Sequence, residues 1–253
     1  TRIHTMRVIR LYVNQSLTLN NEFKLDDASR HYAVNVLRLN KNSSLILFNG
    51  DDYNYTCEII AFNKKVVEVK ITDQITAAKE SPLETNLLLG ISKSSHMDYA
   101  VQKTVEAGVT NIHPIVTERT VTKLSSKSIT NKYQHWQKIM TTACEQCGRA
   151  TLPTLHDIIT FENLDNLSKN THGFVLDTNS GQPLTRSSQD VVRSVWFLVG
   201  PEGGLTQSEI NMAVKKGYQA VAFGPRILRT ETAAVSVIVS AQLLWGDLAA
   251  TQS

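Results

Sequence analysis

The first 75 residues alternate apolar and polar positions over short stretches, which is the pattern of half-buried β-strands. The stretches are Arg7–Tyr12, Ser44–Phe48, Asn54–Ala61 and Val66–Ile71. Asn49-Gly50, a hairpin signal, follows the second of them. Helical spacing is limited to Ala28–Leu37, where Val34 and Leu37 share one face. Several short strands joined by tight turns predict a small β-barrel.

From residue 85 onward the pattern changes to apolar strands that alternate with helices. The predicted strands are Asn86–Ile91, Asn111–Val116, Gly173–Asp177, Val195–Gly200 and Ala220–Phe223. The predicted helices are Met97–Ala107, Asn131–Cys147, Thr206–Lys216 and Glu231–Trp245. Thr206, with Glu209 three residues later, gives a capping-box pattern. This alternation predicts an α/β domain with a parallel sheet, and such sheets bind ligands beyond the carboxyl ends of their strands.

The segment between the two patterns, Thr72–Glu84, is polar, contains Pro82 and lacks periodicity. This composition is typical of a linker. We therefore divide the chain into residues 1–75, a linker of residues 76–84, and residues 85–253. Residues 1–5 precede Met6, and we expect them to be an upstream extension outside the fold.

Composition narrows the class of protein. The 253 residues are 42% hydrophobic and 19% charged, which is typical of a globular protein. The sequence contains no run of 18 apolar residues, so it predicts no membrane-spanning helix. The net charge is +3, and the excess of Lys and Arg over Asp and Glu is concentrated near the start of the chain. A basic patch favours phosphate-bearing partners, although solvated surface charge explains the same counts. Three cysteines, an odd and low number, indicate a reducing cytoplasm.

Three glycines in five positions follow a predicted strand, in the sequence Gly200-Pro201-Glu202-Gly203-Gly204. Glycine allows a backbone to approach a ligand closely. The loop leads into the helix that begins at Thr206, and the first N–H groups of a helix are available to a bound group. The spacing is neither that of a Walker A loop nor that of a G-x-G-x-x-G dinucleotide site. On this pattern alone, a ligand-binding loop and a tight strand-to-helix turn both remain open.

A second irregular loop, which carries Gly224, Arg226 and Arg229, follows the last predicted strand. Thr230 is expected to cap the next helix, with Glu231 in its first turn, where the helix dipole favours an anion. An ordinary cap beside solvated arginines explains this segment when it is taken alone. Two such loops after strands of one parallel sheet are expected to form one ligand cleft.

The sequence Cys144-Glu145-Gln146-Cys147-Gly148-Arg149 closes a predicted helix. A structural zinc site needs four ligands, and the chain offers only Cys57 as a further cysteine. A thioredoxin-type redox motif opens a helix, whereas this one ends a helix. No histidine pair has metal-ligand spacing, so we expect no metal and interpret Arg149 as a positioned cation.

Four motifs in the right order resemble the RsmE family, bacterial 16S rRNA uridine-N3 methyltransferases of the SPOUT superfamily. They are Met6-Arg7-x-x-Arg10-x-Tyr12 with His31 and Val36-Leu37-Arg38; Glu145–Arg149; Gly200–Gly204; and Gly224–Ala233. The resemblance spans about Met6 to Leu248. It implies a PUA-like β-barrel followed by a SPOUT α/β domain with a C-terminal trefoil knot. It further implies S-adenosylmethionine as the cofactor, a homodimer, and a conserved uridine of the decoding region in the small ribosomal subunit as the target.

The resemblance also assigns roles to residues. The implied cofactor-binding residues are Leu176, Val199, Gly200, Pro201, Glu202, Gly203, Gly204, Gly224, Ile227, Leu228 and Thr232. Uridine N3 loses a proton on methylation, and the negative charge spreads to O2 and O4. Arg149 and Arg229 are candidates to stabilise that charge, and Glu231 or Glu202 is a candidate base. A structural cap or a loop anchor remains the alternative for either glutamate. Arg7, Arg10 and Arg38 are the candidates for RNA phosphates. Tyr12 is a candidate to stack a base, with a core position as the equal alternative.

Two other functions remain as alternatives. A catalytically inactive rRNA-binding assembly factor would keep the RNA surface and lose cofactor binding. A nucleotide-binding enzyme would use the glycine loops for phosphate, and the missing Walker A and Rossmann patterns disfavour it.

Overall fold

The computed structural model describes residues 9–36, 39–41, 43–63, 65–78, 80–121, 125–165, 171–185 and 192–249. Contacts within the chain define two compact units. The first comprises the described residues up to Glu80 together with Cys144–Leu152. The second comprises those of Ser81–Ala143 and those from Pro153 onward.

The first unit is built on a mixed five-stranded sheet. Its strands are β1 (Arg10–Tyr12), β2 (Glu22–Lys24), β3 (Ser44–Phe48), β4 (Tyr53–Phe62) and β5 (Val67–Thr76). They are ordered β1-β3-β4-β5-β2, with β1 parallel to β3 and the other pairs antiparallel. Apolar side chains from alternate positions, such as Leu45, Leu47, Val67 and Val69, are fully buried in its core. The strand-rich fold predicted from the apolar alternation is therefore confirmed.

Three details of this unit differ from the sequence prediction. The predicted helix Ala28–Leu37 is a short helix α1 (Asp27–His31) that continues as a π-helical turn, Tyr32–Val36. Strand β5 extends into the polar segment as far as Thr76, because its last residues pair with Tyr53–Thr56 of β4. Strand β2 was not predicted, since only Phe23 of its three residues is apolar.

The second unit is a parallel sheet flanked by helices. Its strands are β6 (Glu84–Gly90), β7 (Asn111–Val116), β8 (Thr154–Leu155), β9 (Ile159–Thr160), β10 (His172–Leu176), β11 (Ser194–Val199) and β12 (Gln219–Val221). The helices are α2 (Ser94–Glu106), α3 (Ser126–Cys147), α4 (Gln207–Lys215) and α5 (Thr230–Trp245). The order is β12-β10-β11-β6-β7-β8, with β9 also paired to β7, and every pairing is parallel. The predicted parallel sheet is confirmed.

The strand order determines where loops meet. Strand β11 lies between β10 and β6, while β12, which follows β11 in the chain, pairs with the far edge of β10. The carboxyl ends of β10, β11 and β12 therefore lie side by side. Helix α5 returns from β12 to pack on α2, β6 and β11, with Ala234, Val237, Ile238 and Ala241 fully buried.

The helix boundaries test the capping predictions. The capping box of α4 is confirmed: Thr206 Oγ1 accepts the Glu209 N–H at 3.3 Å, and Glu209 Oε2 accepts the Thr206 N–H at 2.8 Å. The predicted Thr230 cap of α5 is wrong, because Arg229 occupies the N-cap position and no side chain bonds to the first turn. In the part of the chain that the structure describes, no helix is long and apolar enough to cross a bilayer.

Candidate active site

A cavity of about 840 Å³ opens at the carboxyl ends of β10, β11 and β12. Its walls come from Leu176–Asn179 after β10, Val199–Leu205 after β11, and Phe223–Arg229 after β12, together with the first turn of α5. Arg119 and His96, which follow β7 and β6, and Gln207 and Ile210 of α4 also line it. This volume lies in the ordinary range for small-molecule sites. The position is the one at which open α/β sheets bind ligands.

The loop after β11, residues 200–205, lies unusually close to the end of β6. A Cβ added to Gly90 would lie 2.5 Å from Pro201 N and 2.8 Å from Gly200 C, so only glycine permits this contact. Gly204 has φ +72° and donates its N–H to Pro201 O at 2.8 Å, which closes the turn. The loop is therefore shaped by glycine on both sides of Pro201.

The side chain of Glu202 anchors this loop to α2. Its Oε1 accepts the Lys93 N–H at 2.8 Å, at the N-cap of the helix. Burial acts to raise the pKa of Glu202, but hydrogen bonds from the Lys93 and Glu202 N–H groups and from Ser92, with the nearby His96, outweigh it and lower the pKa. Glu202 is thus an anion committed to a structural bond. It is a poor proton acceptor compared with an unpaired carboxylate.

Arg119 is a lining residue that the sequence analysis missed. Its Nη1 donates to Gly203 O at 2.7 Å, and the side chain is exposed to the cavity side of the loop. The turn that carries it is fixed by buried Glu209, whose Oε1 accepts the Glu118 N–H at 2.8 Å. Glu209 thereby ties the start of α4 to the loop after β7. Arg119 therefore adds a cation at the rim of the cavity to Arg226 and Arg229 of the loop after β12.

The loop after β12 supplies the opposite wall. Gly224 has φ +72°, a left-handed conformation that favours glycine. The side chains of Arg226 and Arg229 are exposed, and Ile227 is 87% exposed on the cavity wall. An apolar side chain so exposed at a cavity is suited to contact a ligand or a partner.

Two titratable side chains meet inside the cavity. His96 Nδ1 lies 3.0 Å from Glu231 Oε1, with side-chain exposures of 30% and 13%. Glu231 Oε2 is buried and has no hydrogen-bond partner among the described residues. The pair joins the start of α2 to the start of α5, elements that pack on one another. The sequence analysis selected Glu231 and did not select His96.

Comparison with known proteins places the chain in a family. Residues 79–242 match the RNA methyltransferase domain family, and residues 25–72 match the RNA methyltransferase PUA domain family. A ribosomal RNA small subunit methyltransferase E of Buchnera aphidicola is 32% identical over 248 residues, 98% of each chain.

The chain belongs to the ribosomal RNA small subunit methyltransferase E (RsmE) family.

Solved structures agree with this assignment. The crystal structure of a ribosomal RNA small subunit methyltransferase E from Neisseria gonorrhoeae bound to S-adenosylmethionine is 35% identical, with a TM-score of 0.87. A methyltransferase structure from Legionella pneumophila in complex with the same cofactor is 33% identical, with a TM-score of 0.90. Each comparison covers 96% of this chain and 100% of the other. The predicted RsmE resemblance, with its PUA and methyltransferase domains, is confirmed.

Most of the cofactor-binding residues that the RsmE resemblance implies are found in the wall of the cavity. They are Leu176, Val199, Gly200, Pro201, Glu202, Gly203, Gly204, Gly224, Ile227 and Leu228. Thr232 is exposed on α5 and is not among the lining residues. Of the candidate catalytic residues, Arg229 and Glu231 line the cavity and Arg149 does not.

Arg149 and Arg10 are both engaged within the first unit. The Arg149 guanidinium lies 2.7 Å from Glu80 Oε2 in an ion pair, and its backbone oxygen accepts a 3.0 Å bond from Arg10 Nη2. Arg10 also donates to Asn54 Oδ1 at 2.7 Å and lies over the Phe48 ring. Arg7 and Arg38, the other candidates for phosphate contact, lie outside the described residues. Arg10, the one candidate for phosphate contact that lies in the described residues, thus has three intramolecular contacts.

The cysteines are free thiols. Cys144 is buried, donates to Thr151 O, and has a pKa raised to about 12 by burial. Cys147 is exposed and Cys57 is buried. Within the described ranges, no group of three or more His, Cys, Asp or Glu side chains is arranged to hold a metal ion.

Proposed function

We propose that this RsmE-family chain methylates N3 of a conserved uridine in the decoding region of 16S rRNA, with S-adenosylmethionine as the methyl donor. The observation that carries the proposal is the single cavity formed by two glycine-containing loops, Gly200–Leu205 and Phe223–Arg229, at the carboxyl ends of parallel strands. Relatives at 33% and 35% identity were solved with this cofactor.

The residues of the cavity fit such a donor. Gly200, Gly203 and Gly204 expose backbone along one wall, and a Cβ at Gly203 would lie only 3.1 Å from Arg119 Cβ. Val199 and Leu228 offer apolar contact for an adenine ring, and main-chain N–H and C=O groups of both loops offer hydrogen bonds to its edges. When bound, the cofactor supplies a methyl group on a positively charged sulfur.

The chain's own side chains have two tasks in the reaction. As N3 loses its proton, negative charge spreads over the uracil ring, and a positioned cation lowers the barrier. We assign that cation to Arg229, which lines the cavity, rather than to Arg149, which pairs with Glu80. The three rim arginines, Arg119, Arg226 and Arg229, favour approach of the RNA phosphates. The uridine must leave its stack to reach the cavity.

The partners follow from the same assignment. We assign the first unit, the PUA domain, to contact with rRNA in the 30S subunit, in the cytoplasm. We assign homodimerisation to the apolar side of α5, where Val239 and Leu243 are 38% and 56% exposed, and to Leu248 beyond it, at 54%. The trefoil knot stays a prediction of the family resemblance.

The test is incubation with tritiated S-adenosylmethionine and 30S subunits that lack the modification. Label that mass spectrometry maps to N3 of one uridine supports the proposal, and absence of label rejects it. Calorimetry with S-adenosylhomocysteine separates the alternative of an inactive assembly factor, which would retain rRNA without binding the cofactor product.

A further inference from the structure

His96 occupies a position that the proposed reaction can use. It lines the cavity, and its Nδ1 lies 3.0 Å from Glu231 Oε1. A neutral imidazole that donates from Nδ1 to a carboxylate keeps the lone pair of Nε2 available as an acceptor. Among the described residues, no hydrogen-bond partner of Nε2 is found, and 30% of the side chain is exposed.

The other lining groups that could accept a proton are less suited. Glu202 Oε1 is bonded to the Lys93 N–H at 2.8 Å, which holds the carboxylate at the start of α2. Asp177 Oδ1 accepts the Asn179 N–H at 2.9 Å in the turn after β10. Glu231 faces His96 through one oxygen, and its other oxygen is buried without a partner. Guanidinium groups of the rim arginines stay protonated. His96 therefore presents a ring nitrogen on the cavity side that can accept a proton from a substrate.

Two carboxylates lie near His96. Glu231 contacts it from α5, and the charge of Glu202 interacts with it from the loop after β11. Glu231 Oε2 is buried without a hydrogen-bond partner in the described part of the chain, so the contact of Oε1 with His96 is the one that positions this carboxylate and the imidazole relative to each other. A carboxylate that orients an imidazole and stabilises its cation is the arrangement of known acid–base dyads.

We propose that His96 is a catalytic residue that takes the proton from uridine N3, with Glu231 as its positioning residue. The inference rests on the proposed function. The N3–H bond breaks and an Nε2–H bond forms, so the uracil becomes an anion and the imidazole a cation. The electron pair left on N3 forms the new N–CH₃ bond, and the pair of the broken C–S bond stays on sulfur. The imidazolium then releases its proton to water, which restores the neutral ring.

The first variant is His96→Gln, measured against His135→Gln. His135 is matched because its Nε2 also pairs with a carboxylate, Asp98 Oδ2 at 2.9 Å, away from the cavity lining. Methylation of 30S subunits should fall about 10²- to 10⁴-fold in H96Q, the usual range for loss of a general base, and should be unchanged in H135Q. S-adenosylhomocysteine affinity, measured by calorimetry, should stay near that of the wild type in both. A parallel loss of affinity in H96Q would make His96 a pocket-building residue and overturn the proposal.

A second variant separates proton transfer from positive charge. His96→Arg keeps a cation beside Glu231 but has no lone pair to accept a proton. Its methylation rate should be as low as that of H96Q, and an H96R rate near the wild type would overturn the proposal.

One readout does not depend on turnover. In ¹⁵N NMR spectra of the free protein, the proposal expects His96 to carry its proton on Nδ1 when neutral, and Glu231→Gln to change that tautomer balance. A His96 protonated on Nε2 would refute the orientation. The two levels of failure are distinct: a wild-type protein that does not label the uridine rejects the proposed function, whereas labelling by wild type and H96Q alike rejects only this inference.

Discussion

Gly90→Ala is a substitution whose effect on the cavity follows directly from the distances in the structure. The added Cβ would lie 2.5 Å from Pro201 N, 2.6 Å from Pro201 Cδ and 2.8 Å from Gly200 C. Carbon contacts are favourable at about 3.5–4.0 Å, so the loop must shift by about 1 Å. These atoms are main chain and a proline ring, which cannot rotate away as a flexible side chain would.

The shift is expensive because the loop is held at two other points. Glu202 bonds to the Lys93 N–H, and Gly203 O accepts from Arg119. Overpacking of this kind costs about 1–3 kcal/mol. If the cost falls on the binding conformation, the Kd for S-adenosylhomocysteine rises about 5- to 150-fold, since about 1.4 kcal/mol corresponds to a factor of ten.

Calorimetry with S-adenosylhomocysteine and a thermal melt measure the two parts of this effect. Gly181→Ala is the matched control, because a Cβ there meets nothing within 4 Å and its backbone is not left-handed. G181A should bind and melt like the wild type. A G90A protein that binds as tightly as G181A, with an unchanged melting temperature, would refute the close approach of the two segments.

Three further predictions concern the same unit. Gly203→Val should keep the fold but weaken S-adenosylhomocysteine binding at least tenfold in calorimetry. The reason is that its Cβ would lie 3.1 Å from Arg119 Cβ and displace that side chain. An unchanged affinity would show that this loop does not contact the ligand. Both carboxylate oxygens of Glu209 accept main-chain bonds, so Glu209→Gln places an amide N–H against the N–H of Thr206 or of Glu118. The free energy of unfolding in urea should fall by about 1–3 kcal/mol. An unchanged value would contradict the role of Glu209 in joining α4 to the loop after β7. Burial, with the nearby His156, lowers the pKa of His113 to about 4, so folding favours the neutral ring. Its stabilisation is complete above the unfolded pKa of about 6.5 and is lost as the pH falls toward 4. Discounted for the partial exposure of His113, this loss in the free energy of unfolding is about 2 kcal/mol between about pH 7 and 4. In His113→Phe, the free energy of unfolding in urea should fall by that much less over the same pH range.

The meeting of the two glycine loops was predictable from the sequence. Both follow apolar strands of an alternating strand–helix pattern, and the carboxyl ends of parallel strands share one edge of a sheet. The same rule places the segments after β6 and β7, residues 92–96 and 117–121, at this edge of the sheet. His96 and Arg119 were missed because neither segment contains a glycine pattern to draw notice.

Other features lay beyond what a linear sequence can show. The motif ending in Arg149 looks like a cationic site in sequence, yet Arg149 pairs with Glu80, and Tyr12 donates its N–H to Glu145 Oε1 at 3.1 Å. Those bonds join residues more than 60 positions apart, as the separations of 69 and 133 show. No local periodicity encodes such pairings.

The packing of α5 explains why the site needs the whole second unit. Residues 223–233 supply one cavity wall and Glu231, but the helix that follows them is held by α2, β6 and β11, elements from much earlier in the chain. His96 stands at the start of α2 and Glu231 at the start of α5, so the 3.0 Å contact between them forms only when these two helices pack. The His96–Glu231 contact, to which we assign proton acceptance, is therefore a consequence of the tertiary fold. A destabilised α2–α5 interface should reduce the methylation rate before it melts the sheet.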